Sequence, residues 1–207
     1  MTIMLSFLLK VCFALKRKIV NAFYSLFCMG YLLYRGAVFE NKKNIHFRGK
    51  CILQILKNSR IFIGDGFCCN SGVENAVDNM LCSKIVVLEH AELRIGKMSG
   101  ISNTVIQCKK YIEIGNYVNI GAGCFIMDNN FHSIDWRERM NRGDGRLAKC
   151  APVVIKDHAF IGARCIICTG VTIGEHSIIA AGSVVVKDVP DNEMWGGNPA
   201  RFIRGVE

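Results

Sequence analysis

The sequence has 207 residues, enough for one domain with an appendage. Its 26 Lys and Arg against 17 Asp and Glu give a formal charge of +9, yet residues 1–60 hold eleven of the cations against Glu40 alone, and the remainder balances at 15 against 16. That balance excludes a nucleic-acid-binding body, and eleven cysteines that form no pair of CxxC clusters argue against both a disulfide framework and a structural zinc.

The opening segment, MTIMLSFLLKVCFALKRKIVNAFYSLFCMGYLLYRGAVF, is apolar but interrupted by Lys10 and by Lys16-Arg17-Lys18. The longest charge-free run, Ile19 to Tyr34, contains Asn21 and Ser25. It falls short of the ~20 residues needed to span a bilayer. The cations follow the first apolar run and no small-x-small cleavage site is present, which argues against a secretion signal. We expect a helical segment over 1–40. Residues 1–39 either meet a membrane surface, apolar face down, or pack on the domain or a partner subunit, and the sequence leaves both open.

A six-residue ruler follows. Ile45 and Ile63 stand three repeats apart, 64–94 match poorly, and the spacing then becomes regular at Ile95 and Ile101 and again at Ile114, Ile120 and Ile126, with the register displaced by one near Lys109-Lys110. From Ile155 it runs without slippage through Ile161, Ile167, Ile173, Ile179 and Val185. Four residues after each leader stands a small or β-branched residue: Ala159, Cys165, Val171, Ser177, Ser183 and Val189. Strand side chains alternate between faces, so both series point inward if the chain turns a corner between short strands. Three such units close one coil, and stacked coils pair as parallel strands about 4.8 Å apart. Gly162 and Gly174, second in their repeats, are expected to supply corner dihedrals. The expected architecture is all-β, a parallel β-helix over 41–189 with a cap at 190–207.

The ruler breaks in DNNFHSIDW, residues 128–136, where counting by sixes from Ile126 reaches His132 in place of an aliphatic leader. The stretch from Ile114 to Ile155 is more than twice as long as one coil, so a loop over about 133–151 leaves the helix there. Its RERMNRGDGRLAKC is polar and basic with two glycines, as a surface loop requires. A neutral imidazole at such a root can take a proton from a hydroxyl near neutral pH.

The repeats, this histidine-led break and the ending GSVVVKDVPDNEMWGGNPARFIRG together resemble the hexapeptide-repeat acetyltransferases, over roughly Ile45 to Arg204. Within that family they are similar to the sugar and xenobiotic branch that includes capsule and lipopolysaccharide enzymes. The resemblance implies a left-handed β-helix, a homotrimer, acetyl-CoA as co-substrate without a metal, and direct acetyl transfer to a saccharide hydroxyl in surface polysaccharide synthesis. It implies His132 as general base, with the backbone N–H of Ala163 facing the oxyanion. Ala163 and Ala181 become corners for the pantetheine arm, and Lys187, Arg201 and Arg204 become partners of the CoA phosphates. Asn103 and Asp128 become acceptor contacts, while Lys109 stands where galactoside enzymes often carry an acidic residue. An amino sugar and a lipid-linked saccharide are also compatible acceptors, the latter fitting a cytoplasmic protein held at the inner membrane face.

Two other readings stay open. His158 and His176, three repeats apart, would stack on one corner and suggest a zinc carbonic anhydrase on the same fold, with His46 and His90 in the irregular region. A trimeric β-helix without catalysis, tethered by its N-terminus, would not need the histidine or its loop.

Overall fold

The computed structural model describes residues 2–72, 82–140 and 142–206, with side chains of the first helix from Val11 onward. Residues 73–81, inside the stretch where the ruler is poorest, lie outside the described residues.

After α1 (Thr2–Tyr34) the chain winds six coils of three short strands. The first holds β1 (Val38–Phe39), β2 (His46–Arg48) and β3 (Ile52–Ile55), and the second β4 (Arg60–Ile63), β5 (Cys68–Asn70) and β6 (Lys84–Val87). The third holds β7 (Glu92–Ile95), β8 (Gly100–Ser102) and β9 (Val105–Cys108), and the fourth β10 (Tyr111–Ile114), β11 (Asn119–Ile120) and β12 (Phe125–Met127). An excursion containing α2 (Trp136–Arg139) separates these from the fifth coil, β13 (Val153–Ile155), β14 (Phe160–Ile161) and β15 (Ile166–Ile167). The sixth is β16 (Thr172–Ile173), β17 (Ile178–Ile179) and β18 (Val184–Val185), and an antiparallel ribbon, β19 (Glu193–Gly197) and β20 (Ala200–Gly205), closes the end. Every third strand pairs in parallel, giving three sheets around one axis, a left-handed parallel β-helix. The usual right-handed crossover arises where a helix packs back on a sheet. Corners of a few residues impose no such packing.

The register makes the core a set of stacked rungs. Ile63, Ile95, Ile114, Ile155 and Ile173 align on the first sheet, Ile101, Ile120, Ile161 and Ile179 on the second, and Ile85, Ile106, Ile126, Ile167 and Val185 on the third. All are buried, as are Ala159, Cys165, Val171, Ser177, Ser183 and Val189. Both inward series therefore come from one alternation. The two serines are not idle in this apolar column: Ser177 Oγ donates to Pro190 O at 2.6 Å, and Ser183 Oγ accepts from Gly197 N at 3.1 Å, fastening the closing ribbon.

Three details differ from the sequence expectation. Ile45 and Ile63 do not stack: Ile63 pairs with Phe39, and Ile95 in turn pairs with Ile63, each at a separation longer than three repeats. Long corners in the first two coils stretch the ruler without moving the rungs. Near Lys109-Lys110 the displacement by one is the sum of two changes. Ile106 follows Ile101 one position early for the ruler, and Ile114 follows Ile106 two positions late. Gly162 and Gly174 also serve differently. Positive φ falls two residues after them, at Arg164 (59°) and His176 (57°). What the glycines allow is approach, since a Cβ at Gly162 would lie 2.5 Å from Ala181 N and one at Gly174 closer still to Asp191 N.

α1 is the lid of the first coil. Cys28 and Leu32 are buried in the core cluster with Phe47, Cys51, Ile55 and Phe67. A β-helix end exposes unpaired strand groups, an invitation to edge association. Here Asn21, Ser25 and Tyr31 receive the N–H groups of Gly49 (3.0 Å), Phe47 (3.2 Å) and Ile55 (3.3 Å). The two polar residues that interrupt the apolar run are thus hydrogen-bond partners for the open edge. No helix among the described residues is long and apolar enough to cross a membrane.

Candidate functional site

His132 sits where β12 runs out. Asn129 bridges Cys150 in antiparallel fashion and Asn130 N donates to Lys149 O at 3.0 Å, so the two stems of the excursion are zipped at its root. Phe131 then turns with φ +61°, its N–H held by Asn129 Oδ1, and His132 N donates to Asn130 O at 2.7 Å. This sharp root drives the imidazole outward, and 70% of the side chain is exposed.

The ring is nevertheless held. Nδ1 lies 3.2 Å from both oxygens of Asp144, whose side chain is only 10% exposed. An ionised carboxylate can only accept, so Nδ1 is the donor and Nε2, across the ring, is turned away from Asp144. Asp144 also accepts from Ser133 N at 3.2 Å. The hydrogen bond from His132 is the main reason its carboxyl is held below the usual aspartate range, with Ser133 N–H adding to it. Asp144 lies in RGDG of the loop, and nothing in the sequence singled it out. A contact between two points of an irregular chain leaves no periodic trace.

The loop has structure of its own. Asp135 caps α2 by accepting from Arg137 N, Ser133 Oγ bonds Glu138, and Arg139 Nη1 donates to the carbonyls of Ser133 and Ile134, both at 2.8 Å. Lys109 Nζ reaches Gly145 O at 2.6 Å and ties the Asp144 turn to the β-helix. On its outside, Ile134, Trp136, Met140 and Leu147 are exposed.

Asp128 and Asn103, the candidate acceptor contacts, stand inside the fold. Asp128 is 0% exposed and its carboxylate accepts the N–H groups of Lys109 (2.8 Å), Lys110 (2.6 Å) and Tyr111 (2.8 Å), which builds the enlarged turn beneath the loop. Asn103 is 1% exposed, with Oδ1 accepting from Gly72 N at 2.8 Å. The chain buries both against its own backbone, so neither is open to an acceptor.

Ala163 is half-buried and Ala181 exposed on one corner, linked by Gly182 N to Ala163 O at 2.8 Å. Lys187 is exposed just past β18. Arg201 and Arg204, three apart, would point to opposite faces of a regular strand. A bulge where Met194 pairs with Arg204 but Trp195 pairs with Phe202 leaves Ile203 extra and returns both arginines to one face. Within one chain the two alanines and His132 are not brought together: the histidine leaves the corner between the third and first sheets, and Ala163 occupies the corner between the second and third, while Lys187 follows β18 on the histidine's corner two coils further on.

His158 and His176 stack at 5.1 Å, but the ring continuing the column is Tyr117, 5.0 Å from His158. Among the described residues no group of three or more His, Cys, Asp or Glu is arranged to hold a metal ion.

The bacterial transferase hexapeptide (six repeats) family matches residues 152–187. A Schizosaccharomyces pombe protein provisionally named as an acetyltransferase is 40% identical over 96 residues, 46% of this chain and 44% of its own. The 2,3,4,5-tetrahydropyridine-2,6-dicarboxylate N-acetyltransferase of Clostridium perfringens is 48% identical over 56 residues, 27% of this chain and 24% of its own. The chain spans about half or less of the length of these relatives. In structure it is similar to AntD, an N-acyltransferase from Bacillus cereus solved with dTDP-4-amino-4,6-dideoxyglucose and coenzyme A. That likeness has a TM-score of 0.62, 21% identity, and 83% and 84% coverage of the two chains, and it establishes the fold.

Proposed function

Taking the chain as a hexapeptide-repeat protein of the left-handed β-helix fold, we propose that it transfers acetyl from acetyl-CoA to a saccharide, in surface polysaccharide synthesis, with His132 as general base. The observation that carries this reading is the His132–Asp144 pair, an exposed imidazole held by a shielded carboxylate on a folded loop where the repeat breaks. Nε2 takes the proton of the acceptor hydroxyl as its oxygen bonds to the thioester carbonyl carbon. The C–S bond then breaks and the imidazolium returns the proton to the thiolate. A negative charge on Asp144 favours the imidazolium between these steps. The Ala163 N–H is our candidate donor to the oxyanion, and Lys187, Arg201 and Arg204 suit the CoA phosphates.

His132 and Ala163 lie on different corners of one prism, so the proposed site needs a second copy. A homotrimer would set the loop, with its apolar rim of Ile134, Trp136, Met140 and Leu147, against the neighbour's corner. Light scattering is expected to give three chains per particle, and an active monomer would contradict this arrangement.

Asp144→Asn is expected to keep the loop hydrogen bonds but remove the charge that favours the imidazolium. A loss in kcat of about tenfold or more, on the order seen when a partner that orients a functional histidine is removed, with KM for acetyl-CoA unchanged, is the expected outcome. A shift in KM alone would assign Asp144 to loop packing.

AntD acts on a nitrogen, and a second reading for this chain is N-acetylation of an amino sugar. A screen of hydroxyl- and amine-bearing saccharides, read by thiol release from acetyl-CoA, separates the two. Absence of thiol release with every saccharide in the panel would favour the non-catalytic scaffold reading. We further propose that the basic N-terminal region holds the protein at the cytoplasmic membrane face, where lipid-linked saccharides would be within reach.

A further inference from the structure

A second site lies at the other end of the molecule. Between α1 and the first two coils is a cavity of about 420 Å³ lined by Arg17, Lys18, Asn21, Arg48, Asn70 and Ser71. Three of the six are cations, and among the described lining residues none is acidic.

The two amides add donors. Asn21 Oδ1 accepts from Gly49 N at 3.0 Å and Asn70 Oδ1 from Cys68 Sγ at 3.7 Å, which leaves the NH2 of each as a donor. Ser71 is committed to the fold: its Oγ bonds Lys50 O and receives Ser83 N at 2.8 Å. A recess furnished with a guanidinium from the helix, another from β2, an ammonium and two amide NH2 groups matches a ligand made of acceptors with negative charge. Arg forks and amide donors of this kind suit phosphate oxygens.

The helix that forms one wall also indicates what carries the phosphate. Its inner face, Asn21, Ser25, Cys28 and Leu32, is spent on the β-helix. On the opposite side at helical spacing stand Ile19, Phe23, Leu26 and Phe27, between 61% and 76% exposed. Large apolar side chains in such a row, directed away from the prism and flanked by cations, fit the boundary between headgroups and acyl chains. With that face down, the cavity on the inner side of the helix lies one helix diameter (~10 Å) above it, at the outer edge of the headgroup layer.

We propose that this cavity is a phosphate-binding site that seats the headgroup phosphate of an anionic lipid, with Arg17, Lys18 and Arg48 as its charged ligands. It gives the membrane contact proposed above a defined contact point. It is independent of acyl transfer, so its test reads binding and not turnover.

The test uses the full chain in two arms. In the first, the protein is sedimented with phosphatidylcholine vesicles with or without phosphatidylglycerol. In the second, pyrophosphate is titrated by calorimetry. Binding to the anionic vesicles is expected to fall about fivefold for Arg48→Gln and for Lys18→Gln, as for loss of one cation at a charged surface. Arg48→Lys, which keeps the charge, is expected to lose less, and Lys42→Gln, a nearby cation outside the cavity, to leave pyrophosphate binding unchanged. Melting curves and thiol release with a soluble acceptor should stay at wild-type values in all four variants, which excludes misfolding and keeps this result apart from that of acetyl transfer. Equal losses for Arg48→Gln and Lys42→Gln in both arms would overturn the site in favour of diffuse surface charge. Saturable pyrophosphate binding lost in Arg48→Gln, with no retention on anionic vesicles, would overturn the lipid as its source and leave a soluble phosphate ligand.

Discussion

His132→Ala is expected to lower kcat by about 10²- to 10⁴-fold, the range positioned general bases supply, while the affinity for acetyl-CoA and the melting curve stay near wild type. Three observations support that separation. The imidazole is 70% exposed, so its removal opens no cavity. The root of the loop is held by backbone bonds and by Asn129 and Asp128, none of which uses the ring. Among the proposed CoA groups, Ala163 and Ala181 lie on another corner, Arg201 and Arg204 lie on the closing ribbon, and Lys187 lies two coils beyond the histidine. Losing kcat without CoA affinity is the mark of an interaction made in the transition state. If the ring only anchored Asp144, the variant would retain most of its activity per folded molecule, and the damage would register as a lower melting temperature.

Removing residues 1–34 is expected to ruin the fold. From sequence alone, deletion of residues 1–39 is a clean way to abolish membrane binding while sparing the trimer. The lid geometry changes that expectation. Without α1, Phe47, Cys51, Ile55 and Phe67 lose the cover of Cys28 and Leu32. The N–H groups of Phe47, Gly49 and Ile55 lose Ser25, Asn21 and Tyr31, at roughly 0.5–1.5 kcal/mol for each bond. An uncovered, apolar strand edge is a template for association. The truncated chain is expected as large aggregates in size-exclusion chromatography. Leu32→Asp, which keeps the helix and places a charge in the core, is expected to unfold at markedly lower denaturant. A truncated protein with the wild-type oligomeric state and melting temperature would refute the lid.

How much of this could be read from the sequence depends on where regular spacing survives. From Ile114 to Ile126 and from Ile155 to Val185 inward residues recur at six, and the rungs follow directly from that alternation. In the first two coils the rungs exist but the corners between them vary, so Ile45 and Ile63 matched the ruler by number without being neighbours in space. α1 was legible as a helix, but its lid role was not: Asn21 and Ser25 read as weak points of a membrane segment until the strand edge they serve is in view. Asp128 carried a misleading signal for a related reason. The family resemblance makes it an acceptor contact, and the three N–H groups that occupy it come from the turn at Lys109 to Tyr111, one coil earlier. His132 stands out in the sequence because it interrupts a pattern. Asp144 interrupts none, and only closure of the loop brings it to the ring.

The most direct measurement is the mass of a saccharide acceptor after incubation with acetyl-CoA and equal amounts of folded wild-type protein or His132→Ala. The expected result is one acetyl group added to the acceptor, matched by free thiol, at a rate that drops at least about a hundredfold in the variant. Acceptor acetylated by the variant within about threefold of the wild-type rate, a margin too small for a positioned base, would contradict His132 as the base.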